Sequence, residues 1–270
     1  YYVGHSQSQA AGDGIQLLGN CNNFIIHNNI INRSNSGNKF SIIVNSDTPN
    51  NATGVITHNI VTTPLSEGDG GAGIYLGAGN NILVEHNTIQ GELDGIYNHT
   101  PGLKILGNVF QNLPVGVNSL NSTSTIYIAN NTFHNVRTQI KGANIHVVNN
   151  IFNLTQTGDV AIYKYYPYIL TENTNCYSSG QPGNNSIVGN PMFINASAGN
   201  FRLQSTSPCI NHGSATPMQY DMDNISLPQG NAPDMGAFEY SGGQTSNNPP
   251  VINNQTFSIN ENSQSGTAVG

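Results

Sequence analysis

The stretch Gly73 to Ile89, GIYLGAGNNILVEHNTI, is one copy of a unit that recurs over the first two thirds of the chain, and that recurrence limits the fold most. The unit holds two short β-type runs, Ile74-Tyr75-Leu76 and Ile82-Leu83-Val84, then an Asn followed two places later by an apolar residue (Asn87, Ile89). Related copies open at Gly14 (GIQLLGNCNNFIIHNNII), Gly95 (GIYNHTPGLKILGNVF) and Gly116 (GVNSLNSTSTIYIANNTF). The closing asparagines are Asn29, Asn59, Asn87, Asn108, Asn131 and Asn150, in steps of 30, 28, 21, 23 and 19 residues. A second column, Gly14, Ser41, Gly73, Gly95, Gly116 and Ala161, marks the start of the first run in each copy.

A strand-bearing unit of about 22 residues without a helix signal cannot bury its apolar face alone, so its copies must stack. Equivalent strands then pair in parallel about 4.8 Å apart, and inward Ile, Val, Leu and Phe form one continuous core. The Asn column predicts a tight inter-strand turn, because Asn tolerates the left-handed conformation and its amide can bond the backbone or the Asn one coil on. The longer copies place their excess in external loops, Ser46 to Ala52 and Thr62 to Ala72.

These copies, G-I-x-φ followed by φ-x-x-N-x-φ, resemble the right-handed parallel β-helix repeat of the pectate-lyase-like superfamily. The resemblance implies an all-β, right-handed parallel β-helix solenoid of about six or seven coils over residues 1–186. Enzymes, adhesins and phage spikes all use this architecture, so it names no reaction.

Residues 187–240 differ in wording. Asn190-Pro-Met-Phe193, Phe201-Arg-Leu203, Ser207-Pro-Cys-Ile-Asn-His-Gly213 and Asp234-Met-Gly-Ala-Phe-Glu-Tyr240 resemble the choice-of-anchor Q region that closes many secreted bacterial β-helix proteins. This stretch reads as a C-terminal cap in which Phe193, Phe201, Leu203, Ile210 and Phe238 cover the last coil, with Asp234 and Glu239 fixing the cap. Residues 241–250 are a linker by composition. Residues 251–270 resemble the first strands of a cadherin-like domain, a truncated β-sandwich start, through Phe257-Ser-Ile-Asn-Glu-Asn262 and Gly266-Thr-Ala-Val-Gly270. That resemblance implies Glu261 as a calcium ligand at a domain junction.

Composition narrows the partners. Only 8% of residues are charged and the formal net charge is -7, so no basic stripe exists for phosphate contacts and nucleic acid is disfavoured. The amide-rich surface suits sugar hydroxyls. No run approaches the length of a membrane span, and YYVGHSQSQ lacks the plan of a signal peptide; the chain reads as an internal piece of a longer one. Cys21, Cys176 and Cys209 are too few and too far apart for a disulfide framework or metal cluster, and read as small buried residues.

Lyases on this scaffold need a base beside acids or cations on one outer face. The patch Glu92-Leu-Asp94-Gly-Ile-Tyr97-Asn-His99 offers one. With Ile74 and Ile96 inward, alternation turns Tyr75, Tyr97 and His99 outward, and stacking brings Tyr75 beside Tyr97, with Asp94 one turn before the strand. Tyr97 and His99 could serve as base and acid with Asp94 and Glu92 as orienters or calcium ligands. Equally, Tyr75, Tyr97 and His99 could form a glycan-contact platform, or simply reflect the β propensity of Tyr. A second patch, His27, Asn28, Thr57, His58, Glu85 and His86, precedes the closing asparagines and reads either as a metal site or as a polar turn column. Lys104, Arg137, Lys141 and Lys164 are spread along the repeat and read as solvated heads on apolar stems. Glu67 and Asp69, in the glycine-rich loop, are further candidate calcium ligands. No glycosidase carboxylate pair stands on one strand, and Asp221-Met-Asp223 falls in the cap.

The expectation is an extracellular or bacterial cell-surface module of a longer, monomeric multidomain chain. It would bind a polysaccharide or cell-surface glycan in adhesion, with calcium at the cadherin-like domain. The alternative is a polysaccharide lyase that cleaves uronate-containing glycans by β-elimination.

Overall fold

The computed structural model describes residues 14–19, 21–32, 40–45, 52–62, 71–91, 93–120, 123–164, 169–180 and 183–242. Within them the chain is a parallel β-helix, as the repeat demands, with three strand ladders running along its length. The first ladder joins Ile15–Leu18, Phe40–Asn45, Ala72–Leu76, Asp94–Asn98, the second halves of Val109–Ser119 and Thr132–Gly142, and Val160–Lys164. These strands define coils 1 to 7. The second ladder runs from Phe24–His27 to Leu170–Asn173, and the third from Ile30–Ile31 to Ile187–Val188. Every pairing in the three ladders is parallel, and the repeat columns are in register.

Apolar residues stack inside the coil. Ile42, Ile74, Ile96, Val117 and Ile140 line up in the first ladder, and Ile26, Ile56, Val84, Ile105, Ile128 and Val147 in the second. In the third ladder Phe110, Phe133, Phe152 and Tyr177 form an aromatic row with centroids 4.7, 5.4 and 5.0 Å apart. The second-ladder column ends in coil 7, where Glu172 pairs with Val147 and accepts from the Tyr177 hydroxyl. Burial, and then that bond, push the Tyr177 phenol up, so it stays a donor.

The closing asparagines form a buried ladder running through Asn29, Asn59, Asn87, Asn108, Asn131, Asn150 and Asn175. Asn108 shows the pattern. Its Nδ2 donates to Val84 O at 2.9 Å, Leu106 O at 3.1 Å and Asn131 Oδ1 at 3.0 Å, while its Oδ1 accepts from Asn87 N and Nδ2. Only an amide both donates and accepts in this way, which is why the column holds Asn. The ladder ends where Asn175 N donates to Ser186 Oγ.

The left-handed turn falls one residue before this ladder. Asn28, His58, His86, Gly107, Asn130 and Asn149 all have φ between 53 and 60°. The ladder Asn therefore supplies its amide and not its tolerance of that conformation, which corrects one half of the turn expectation. It also explains the column's preference for Asn, Gly and His.

Residues 187–240 lie along the flank of the solenoid, where the sequence suggests a cover on its end. Phe201, Ala237 and Phe238 pack on Val109 of the third ladder, while Leu203, Cys209 and Met235 pack on Ile151 and Cys176. Met218 covers Leu106, Ala129 and Val148. Exposure along one outer column gives the reason. Ile30 is 78% and Ile60 44% exposed, whereas Val109, Ile151 and Cys176 are at 2% or less. The later coils carry apolar outer residues that the C-terminal segment buries. Among the described residues no helix is long and apolar enough to cross a membrane.

Candidate functional site: the outer face of the first ladder

With the flank of the third ladder covered, the first ladder presents an outer column of another character: Gln16, Ile43, Tyr75, Tyr97, Asn118, Lys141 and Tyr163 in register. Each member stands two residues after the Gly14-to-Ala161 column. Those small residues sit at the corner between ladders: a Cβ on Gly95 would lie 2.5 Å from Gly116 O, and one on Gly116 2.6 Å from Gln139 O. The tight corner leaves the next outward residue as the first that can hold a large side chain.

Here the structure brings together Tyr75, Tyr97, His99 and Asp94. The rings of Tyr75 and Tyr97 stack at 5.9 Å with planes 11° apart, and Phe40 extends the row to Tyr75 at 4.4 Å. His99 meets Tyr97 at 5.1 Å and Tyr75 at 5.9 Å; its backbone N–H donates to Leu76 O, which fixes it just past the strand. Asp94 lies within that strand, opposite Ala72, and not a turn before it.

Sequence reasoning missed the partners of Asp94. Asn118 Nδ2 donates to Asp94 Oδ2 at 2.8 Å. Burial raises the Asp94 carboxyl, while the Asn118 bond and the Lys141 charge pull it back. Lys141 is thus part of this cluster, whereas Lys104 lies on the second ladder and pairs with Leu83 and Tyr127. Counting two residues on from the corner column would have found Lys141. In coil 6, however, the corner residue is Gln139, not Gly, and the copy is hidden. Burial lowers the His99 imidazole, so its ring is neutral near pH 7 and can donate from one nitrogen and accept at the other. The face thus combines aromatic edges, a neutral imidazole, an acid and an ammonium.

The histidine column lies on the turn beside the second ladder. His27, His58 and His86 contact in sequence at 5.4 and 5.0 Å, and Thr57 pairs with Glu85. His86 Nε2 donates to Tyr220 O at 3.0 Å, which ties the C-terminal segment to coil 3. Among the described residues no group of three or more His, Cys, Asp or Glu could hold a metal ion. Burial, with His58 nearby, lowers His86 from 6.5 to about 4, against a smaller upward effect of the Tyr220 carbonyl. It is therefore neutral in the fold, while the unfolded ring takes a proton below pH 6.5. The stability it lends is whole above pH 6.5 and drains away as pH falls toward 4. We expect the wild type to lose about 2 kcal/mol between pH 7 and pH 5 relative to His86→Asn, read as denaturation midpoints at the two values. Asn suits the left-handed position, as at Asn130 and Asn149. Comparison with the variant also cancels buried Asp221, raised to about 6, which acts in the opposite sense.

Glu92, Glu67, Asp69 and Glu261 lie outside the described residues. A separate cleft of about 480 Å³ opens between the third ladder and the C-terminal segment, lined by Asn153, Ser178, Asn190, Met192, Phe193 and Gln204 among others. Among the described residues no ionisable side chain lines it.

No protein-family model and no curated protein matches the chain. Among solved structures it is similar to pectate lyase Pel9A, at 13% identity and a TM-score of 0.47, over 87% of this chain and 85% of that one. A likeness of this degree adds no argument about activity; the parallel β-helix stands on the registers of its three ladders.

Proposed function

We propose that the outer face of the first ladder binds an extracellular or cell-surface polysaccharide. The observation that carries this reading is the Phe40, Tyr75, Tyr97 and His99 row running directly into Asp94, Asn118 and Lys141 along one face. Successive coils repeat about every 4.8 Å, close to the rise of one sugar unit, so a chain laid along the axis meets one outer residue per coil. Because the Tyr75 and Tyr97 rings face one another, a sugar engages the edges and hydroxyls of the row. Asp94 and Lys141 fix its polar groups. The sparse charge of the whole chain agrees with a ligand recognised through hydroxyls. Adhesion, calcium at a cadherin-like domain and a surface location belong to this reading as proposals.

The second reading is β-elimination on a uronate chain, which Asp94 and Lys141 favour, because they offer an acid in the coil of Tyr97 and His99 and a cation two coils on. Both are tested on one panel of polygalacturonate, alginate and neutral glycans with calcium present. We expect binding that weakens about tenfold in Tyr97→Ala and is unchanged in Lys104→Ala, with no unsaturated uronate product. Product that vanishes in His99→Ala and Tyr97→Phe would establish the lyase instead. Absence of binding to every glycan would sink both.

A further inference from the structure

Two of the three cysteines, 33 positions apart in sequence, meet in the fold. Cys176 stands in the outer column of the third ladder in coil 7, next after Ile151. Cys209 follows Pro208 in the C-terminal segment, where its N–H donates to Ser207 Oγ at 3.1 Å and its carbonyl accepts from Met235 N at 3.0 Å. Both are fully buried, and they share one cluster with Ile151, Leu203 and Met235. Cys176 Sγ donates to Gly189 O at 3.7 Å, and the Cys176 side chain is near enough to the Cys209 thiol to push it up. Cys21 is elsewhere, in coil 1, donating to Leu18 O at 3.6 Å. We infer that Cys176 and Cys209 are a disulfide pair that fastens the C-terminal segment to the last coil.

The backbones of both residues are held by their own hydrogen bonds, and both side chains enter the same buried cluster. A disulfide of about 2.05 Å asks that their Cβ atoms come within about 4.5 Å. The two thiols lose two protons and two electrons; a protein or small-molecule disulfide takes the electrons and leaves as two thiols. The Cys176 side chain and burial hold the Cys209 thiol protonated in the closed fold, which keeps the attacking thiolate scarce. The bond therefore forms before the segment closes over coil 7, and resists reductant afterwards. Past Ile187–Val188, which pair with Cys176–Tyr177, the segment docks through turns, side chains and single backbone bonds such as Gly236 N to Asn149 O, so a covalent tie limits its release.

The test is a thiol count on the full chain made in an oxidising compartment, purified without reductant, denatured and only then alkylated. Of the three cysteines, only Cys21 should label, and peptide mapping should recover Cys176 joined to Cys209. Cys21→Ser should leave no labelled thiol, and Cys176→Ser should leave two. Chain refolded with reductant should melt roughly 5 to 10 °C below the oxidised form. Three labelled thiols after refolding with oxidised glutathione would overturn the inference, as would a bond that includes Cys21. Should Cys176→Ser fail to fold, Cys21→Ser still decides, because it leaves the pair untouched.

Discussion

Asn108→Ala is expected to destabilise the solenoid by about 4 kcal/mol, as is the same change at the equally buried Asn87, Asn131 and Asn150. The side chain is fully buried and joins three coils. Its loss removes the acceptor for the N–H and Nδ2 of Asn87 and the donor to Val84 O and Asn131 Oδ1. No water can enter to replace them. Asn131 Oδ1 keeps the Asn108 N–H and Asn87 Nδ2 keeps the Ile56 and Glu85 carbonyls, while the Asn87 N–H loses its acceptor at full desolvation cost. Asn29→Ala is the control. At the half-buried first rung, Asn29 gives up the bond from Nδ2 to Asn59 Oδ1 and the short contact to His27 O, and the change should cost about 1 kcal/mol or less. Urea denaturation of the two variants measures the contrast. Equal losses would mean that the ladder acts through turn conformation and not through its amides. Asn108→Asp should do at least as badly as Ala, because a carboxylate accepts but cannot donate.

Phe133→Ala should cost about 3 to 5 kcal/mol. Phe133 is fully buried between Phe110 at 4.7 Å and Phe152 at 5.4 Å, so truncation opens a void in the middle of the aromatic row and strips a stacking face from each neighbour. The same ring lies 2.8 Å from where a Cβ on Gly116 would sit, so the corner beneath the outer face also loses its support. Because each coil touches only its neighbours, the damage should begin locally. Hydrogen exchange should rise first in coils 4 to 6, ahead of coils 1 and 2. Phe133→Leu, which keeps most of the volume, should recover more than half of the loss. A uniform rise in exchange along the whole solenoid would show that the coils unfold as one unit and not in sequence.

The two tests probe features of differing visibility in the sequence. The Asn column could be read directly, because each rung sits at the same place in its own copy and a buried amide has no substitute that both donates and accepts. The inward Ile and Val columns were legible for the same reason, since alternation within a strand is local. The proximity of Tyr75 and Tyr97 followed from aligning two clean copies. Lys141 did not, because Gln139 stands at its corner and the coil lengths vary from 19 to 30 residues, so counting loses register between one coil and the next. The left-handed residue was assigned one place late, since Asn occurs at both positions in several copies.

Local repetition thus established the parallel β-helix, its core columns and the asparagine spine. The path of residues 187–240 along the flank, and hence which outer face stays open, depends on contacts with no local signature. His86 reaches Tyr220 across 134 residues, Asn130 accepts from Thr216 across 86, and Cys176 meets Cys209 across 33. Each of these positions, read along the chain, is an ordinary turn or strand residue. They acquire a role only because the apolar outer columns of the later coils must be buried, and the C-terminal segment is the part of the fold that buries them.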